Sequence, residues 1–353
     1  MLVARSSLHH ILGIQKGDGD LSALHSETFT VPVERSWLLA VHVLHPAISV
    51  TSEPIVMLHG LGGNRLHFDL SSRYSLARAA AARGYPVYIV ELRGAGLSRP
   101  MKETASSVSD SWGFLSYLEH DLPAVFAAIR QHAGCDRVFG VGHSMGGMLL
   151  LASAVRCDKN FFKGIVAVGT PLLGYLPLGL KEQQFLDLAM RWADAQSLGG
   201  VLPLRRLSGM AGRMFMPLAT WVRDGVALNP SNMDEEIVTR FVRESIDDVP
   251  FQMIHELATA IREPSLSSPY AHEFHLEKIS APILLLSGSI DRIVPPASMV
   301  ALSRRLRSSD VRLREIGTKM GDRIDYGHVD LLVGRHAPED VYPPILDFIA
   351  EYV

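Results

Sequence analysis

The stretch VFGVGHSMGGMLLLASAV, Val138 to Val155, decides how this chain folds. Its eighteen residues include no Lys, Arg, Asp or Glu, which is the length signal of a membrane-spanning helix. Yet Gly140, Gly142, Gly146 and Gly147 crowd its first half, and glycine is costly inside a helix. The segment divides more naturally into a strand (RVFGV), a sharp turn (GHSMG) and a helix (GMLLLASAVR). A strand and a helix that are both buried in a sheet protein are apolar on every side, so the missing charges require no membrane.

The turn has the form G-x-S-x-G, from Gly142 through Ser144 to Gly146. A strained strand-to-helix turn of this kind holds a serine hydroxyl out above a sheet. Small residues are needed on either side, because a side chain at 142 or 146 would meet the neighbouring strand or helix. The helix that follows aims free N–H groups and its positive dipole end at developing negative charge. As a bare pattern G-x-S-x-G is common; the strand–turn–helix setting makes it specific.

Outward from this point the chain alternates strands and helices. Ser36–Pro46, Pro54–Gly60, Pro86–Leu92, Gly164–Gly169 and Ala281–Gly288 read as strands, most of them short apolar runs ended by a turn signal. Ser72–Gly84 and Glu119–Gly134 read as helices, the second with Leu122, Val125, Phe126 and Ile129 on one face. Beyond Gly288 a helix (ASMVALSRRLRSS), a strand (VRLREIG) and one closing helix (PEDVYPPILDFIAEYV) are expected. The first thirty residues read as mixed and peripheral. The pattern predicts an α/β fold with a mostly parallel central sheet flanked by helices. It is interrupted from 171 to 275 by a segment of helical periodicity rich in Met, with Trp192, Phe215, Trp221, Phe241 and Phe251. This reads as an inserted helical cap on a core formed by 1–170 and 276–353. Methionines in a cap can line an adaptable apolar pocket.

Composition narrows the class. Hydrophobic residues are 47% and charged residues 20% of the 353, with a net charge of −3 and no long block of one sign. Nothing here addresses nucleic acid. Cys135 and Cys157 are too few for a secreted disulfide scaffold. The N-terminal segment shows no apolar signal region, so no signal peptide and a cytoplasmic location are expected. No stable membrane insertion is expected either.

A serine hydroxyl needs a base, and the base needs a carboxylate. On this architecture they follow in the order Ser, Asp or Glu, His. PILLLSGSIDRIVPP puts Asp291 just past a buried strand, the position where strand ends present functional groups. Asp322, Asp325 and Asp330 have no such position. RIDYGHVDLLVG offers His328 as the base, ahead of His336, which reads as a surface or capping residue. His143 adjoins Ser144, but adjacent residues at such a turn point in different directions. MLHGLGGNRLHF has the H-G-x-G form, and the backbone N–H groups of Leu61 and Met145 are the expected oxyanion donors. His59 reads as a structural hydrogen bonder.

HGLGG (59–63), ELRGAGLS (91–98), GHSMGG (142–147), GSIDRIVPP (288–296) and GHVD (327–330) together resemble the α/β-hydrolase superfamily over nearly the whole chain. SWGFLSYLEHDLPAVFAAI and GHVDLLVGRHAPEDVYPPI look more specifically like acid lipases. The resemblance implies ester hydrolysis under a helical cap, with Ser144, Asp291 and His328 as the triad and no metal or cofactor. Animal-type acid lipases usually carry Gln after the serine, where this chain has Met145; a bacterial-type intracellular esterase fits better. Polyester synthases share parts of the pattern but usually place cysteine at the elbow. The expected substrate is a small apolar ester. A thioesterase or acyltransferase with the same triad is the alternative, and a non-catalytic binding protein on this fold is a third.

Overall fold

The computed structural model describes residues 24–101, 112–171, 200–206, 226–262 and 275–353. Nine of its strands form one sheet. In chain order they are β1 (Ser26–Val33), β2 (Trp37–Leu44), β3 (Ile55–Leu58), β4 (Val87–Val90), β5 (Arg99–Pro100), β6 (Val138–His143), β7 (Phe162–Val168), β10 (Ile283–Gly288) and β11 (Val311–Ile316). β8 (Val201–Leu202) and β9 (Val249–Pro250) pair separately. The spatial order is β1-β2-β4-β3-β6-β7-β10-β11, with β5 beside β2. β1 and β2 run antiparallel to their neighbours, and all the strands from β4 to β11 along this path are parallel.

The apolar runs of the sequence become the middle of this sheet. β3, β4, β6 and β10 are buried at every position, because helices cover both faces. The outer strand β11 keeps several exposed positions. The long apolar stretch resolves into β6, a turn at Ser144, and helix Met145–Arg156, whose first nine residues are all buried. No helix among the described residues is long and apolar enough to cross a membrane.

β3 leads to β4 on one side, while β6 lies on its other side. The chain direction across the sheet therefore reverses between β3 and β6, which opens a crevice at their carboxyl ends. The elbow needs close packing beneath it. A methyl group on Gly146 would overlap the Leu58 carbonyl oxygen and stand 2.6 Å from its carbon and 2.7 Å from the His59 carbonyl oxygen. These are backbone atoms of β3 and the following loop, which cannot turn aside. Gly146→Ala is therefore expected to cost about 3 kcal/mol or more; a melting temperature within about 2 °C of wild type would contradict it.

Three local features depart from the sequence reading. Ser26–Val33, placed among peripheral residues, forms β1 against the whole length of β2. Its outward half is polar and exposed, so it carries little apolar signal. The expected helix at 119–134 begins at Leu122 and is preceded by a wide turn, Tyr117–Asp121, whose Asp121 is bound by the buried Arg93 at 3.0 Å. The expected closing helix is two, Ala337–Asp340 and Tyr342–Ala350. Pro343 and Pro344 can occupy the first turn of a new helix but cannot continue an old one.

The segment 171–275, expected to form a cap, is described only in part. Helix Glu235–Glu244, helix Phe251–Arg262 and the β8–β9 pair lie within it, and Met233, Phe241, Phe251 and Met253 are buried. Met190, Met210, Met214, Met216, Trp192, Phe215 and Trp221 lie outside the described residues.

Candidate active site

Ser144 sits where β6 ends, with φ 54° and ψ −120°. A non-glycine residue avoids this region unless its surroundings enforce it. Here its N–H donates to the Val168 carbonyl at 2.8 Å, and its carbonyl accepts from Gly147 N at 3.0 Å. The β6–β7 pairing on one side and the new helix on the other thus hold the turn. The residue is half-buried.

Asp291 follows β10 and is buried. One carboxylate oxygen accepts from the backbone of Ile293 at 2.9 Å and Val294 at 2.7 Å. The other lies 2.8 Å from His328 Nδ1. A carboxylate only accepts, so the proton of this bond is on Nδ1; in the neutral ring the lone pair is then on Nε2. The structure therefore joins Asp291 and His328 across 37 residues of chain.

His143 ties this pair to the elbow. Its Nε2–H donates to the His328 carbonyl at 3.1 Å, and the two rings lie 4.7 Å apart. The side chain of His143 thus points to the backbone of the His328 loop. His59 is a structural hydrogen bonder: Nδ1 donates to the Gly60 carbonyl at 2.9 Å, and Nε2 accepts from Leu92 N at 3.2 Å. His67, which sequence reasoning passed over, joins them. Its ring centroid is 6.3 Å from His59, 5.6 Å from His143 and 5.2 Å from Phe241. Burial lowers the pKa of His59 and His143, and lowers that of His67 to about 3. These three rings are neutral packing elements. Among the described residues no group of His, Cys, Asp and Glu is arranged to hold a metal ion.

The loop after β3 approaches the elbow closely. A Cβ on Gly60 would stand 3.2 Å from Ser144 Cβ. Leu61 and Met145 both lie at this junction, and among the described residues neither backbone N–H meets an acceptor. Two N–H groups without acceptors beside a strained serine are suited to an oxygen that gains negative charge.

The histidine loop has a brace of its own. Asp330 is buried, and accepts from Gly327 N, Asn229 N and the Asn232 side chain, each at 3.0 Å. Val329 N donates to the Ala227 carbonyl at 2.9 Å. Residues 227–232 therefore grip the loop that carries His328. GHVD carried a hint of this, since a carboxylate two residues past a glycine-led histidine can cap its own loop. The partners Asn229 and Asn232, about a hundred residues earlier, gave none.

These features define a class: layered α/β proteins that gather their functional groups at the carboxyl ends of a mostly parallel sheet, on either side of a strand reversal. More particularly, the chain belongs to the Alpha/beta hydrolase family, whose model matches residues 55–341. Among curated relatives it is similar to the poly(3-hydroxyalkanoate) polymerase subunit PhaC of Haloarcula marismortui, 22% identical over 313 residues, 84% of this chain and 61% of that protein. The chain thus spans about three fifths of the length of the haloarchaeal relatives it matches. It is also similar to Lipase lipl-1 of Caenorhabditis elegans, 23% identical over 371 residues, covering 91% of this chain and 87% of that one. Of solved structures, a soluble variant of monoglyceride lipase from Saccharomyces cerevisiae shares the fold with a TM-score of 0.63 at 18% identity, covering 93% of this chain and 96% of that one.

Proposed function

We propose that the protein is a serine carboxylic-ester hydrolase acting on an apolar acyl ester. The observation that carries this reading is the hydrogen-bonded Asp291–His328 pair, joined through His143 to the strained turn of Ser144. In this mechanism Ser144 Oγ attacks the ester carbonyl carbon as His328 Nε2 takes its proton. Asp291 holds the imidazole in the required tautomer and stabilises the imidazolium. The oxyanion is bound by the N–H groups of Leu61 and Met145. Collapse expels the alcohol, which receives the proton from His328, and leaves an acyl-serine. His328 then deprotonates water, which attacks the acyl carbon and releases the acid. No cofactor enters this scheme. The proposal includes a cytoplasmic location, in keeping with the low cysteine count of the sequence.

We take 171–275 as a cap, and its Met-rich composition supports a medium or long acyl group. A p-nitrophenyl ester series from acetyl to palmitoyl tests this: hydrolysis should rise to an optimum beyond butyryl. Activity that peaks on acetyl and is gone by octanoyl would remove the apolar-cap argument. A fluorophosphonate should label Ser144, as located by mass spectrometry.

A second reading is acyl transfer by the same serine, favoured by the similarity to PhaC subunits. Products formed in the presence of both water and an alcohol or thiol acceptor decide between them. Transfer outrunning hydrolysis would make the acyltransferase the better description.

A further inference from the structure

The loop His59–Asn64 contains three glycines, and such a loop does not hold an N–H in place by itself. Something outside it must do so. On one side its internal turn is closed by Gly63 N donating to the Gly60 carbonyl at 3.1 Å. On the other side it is met by residues 246–249, which come from the insertion. Asp247 N donates to the Gly62 carbonyl at 2.7 Å, and Ile246 bridges Gly63 in antiparallel fashion. Gly62 has φ +62°, and a Cβ there would stand 2.9 Å from a Val249 methyl. The contact is therefore close-packed along its length.

The Asp247 side chain completes the grip. It is 1% exposed. Its Oδ2 accepts from Asn64 Nδ2 at 3.0 Å and from Gly96 N at 2.8 Å. Oδ1 is 2.6 Å from the Arg205 guanidinium, also of the insertion. Asn64 Nδ2 in turn donates to the Glu244 carbonyl at 2.8 Å. One carboxylate thus fastens together the loop after β3, the loop after β4 and two parts of the insertion. None of these contacts reaches Ser144, Asp291 or His328. The loop they hold is the one that carries Leu61 N–H.

We infer that Asp247 is a positioning residue for the oxyanion loop, through which the insertion sets the direction of the Leu61 N–H. This rests on the ester-hydrolase reading above. A donor aimed where charge develops acts on the tetrahedral state and little on the bound ester. Releasing Asp247 should therefore reduce kcat and leave KM nearly alone. In Asp247→Asn one oxygen can still accept from Gly96 and Asn64, but the amide nitrogen then faces Arg205, donor against donor.

The experiment compares wild type, Asp247→Asn, Asp247→Ala and Asn64→Ala in three measurements. These are steady-state ester hydrolysis, inhibition by an alkyl boronic acid that forms a tetrahedral adduct on the serine, and the rate of fluorophosphonate labelling of Ser144. Asp247→Ala should lower kcat by about 10- to 100-fold, the size of a partly lost oxyanion donor, with KM changed less than about 3-fold. The boronate Ki should weaken, and the labelling rate fall, by the same factor as kcat. Asp247→Asn should recover part of each. Unchanged kcat, or a kcat loss with boronate affinity intact, overturns the inference. If the Asp247 variants do not fold, Asn64→Ala carries the test by the same criteria. Wild type that labels at Ser144 while the variants behave as wild type sinks this inference alone. Wild type that neither labels nor hydrolyses sinks the ester-hydrolase reading and this inference with it.

Discussion

Ser144→Ala is expected to lower kcat for ester hydrolysis by at least about 10⁴-fold, the scale on which a hydrolase loses its covalent nucleophile. The backbone should hardly notice. Alanine pays the same conformational penalty as serine at φ 54°, ψ −120°, and the residue is only half-buried. The melting temperature should stay within a few degrees of wild type, as for most substitutions that remove no core volume. Asp291→Asn should approach the same loss by a different route. An amide nitrogen facing His328 Nδ1 favours the tautomer with the lone pair on Nδ1, which puts the proton on Nε2, where the base must be empty. Retention of more than about 1% of kcat in Ser144→Ala would remove the serine from the chemistry, since no proposed group replaces it.

The second large effect is loss of stability in acid. His59, His67 and His143 are packed as neutral rings whose pKa values burial holds below the ordinary 6.5, His67 at about 3. The unfolded chain binds protons at these positions below pH 6.5 and the folded chain does not. Their stabilisation is therefore complete above pH 6.5 and is lost as pH falls towards the folded values. At pH 5 the His67 contribution alone falls by about 2 kcal/mol, from 1.5 pH units at about 1.4 kcal/mol each. His59 and His143, their pKa values also lowered by burial, add losses of the same sign. Asp330 runs the other way. Burial pushes its carboxyl up to about 6, so its contribution is present below the ordinary carboxylate range and lost as pH rises through 6. Asp121, buried and likewise pushed up to about 6, and Asp247, also raised by burial, act in the same direction as Asp330 and reduce the net slope. Melting temperature measured from pH 8 to pH 5 should fall less in His67→Phe than in wild type. Parallel curves for the two proteins would show that the ring is not held neutral.

The sequence carried the sheet because its central strands are buried on both faces and so read as unbroken apolar runs. β1 was hidden for the opposite reason, its outward half being polar and at an edge. Ser144, Asp291 and His328 could be named because each follows a strand or sits beside glycines that only a tight turn needs. The structure brings Asp291 and His328 into contact; their role stays a proposal. The bracing groups were not legible. His67, Asn232 and Asp247 lie in segments whose local pattern is ordinary, and each matters through partners far along the chain, such as Asn64 and Asp247, 183 residues apart. Periodicity reports a residue's own element and is silent about such distant pairs.

The two-sided grip of residues 227–249, within the proposed cap, bears on how relatives could be recombined. A chimera that exchanged 171–275 as a block would replace Asn232 and Asp247 with a foreign segment, while leaving behind Asp330, Asn64 and Gly96, to which they are bonded. Such a graft would change two loops it was meant to spare. Crossovers placed so that Arg205 and 226–250 stay with their own sheet keep both joints native.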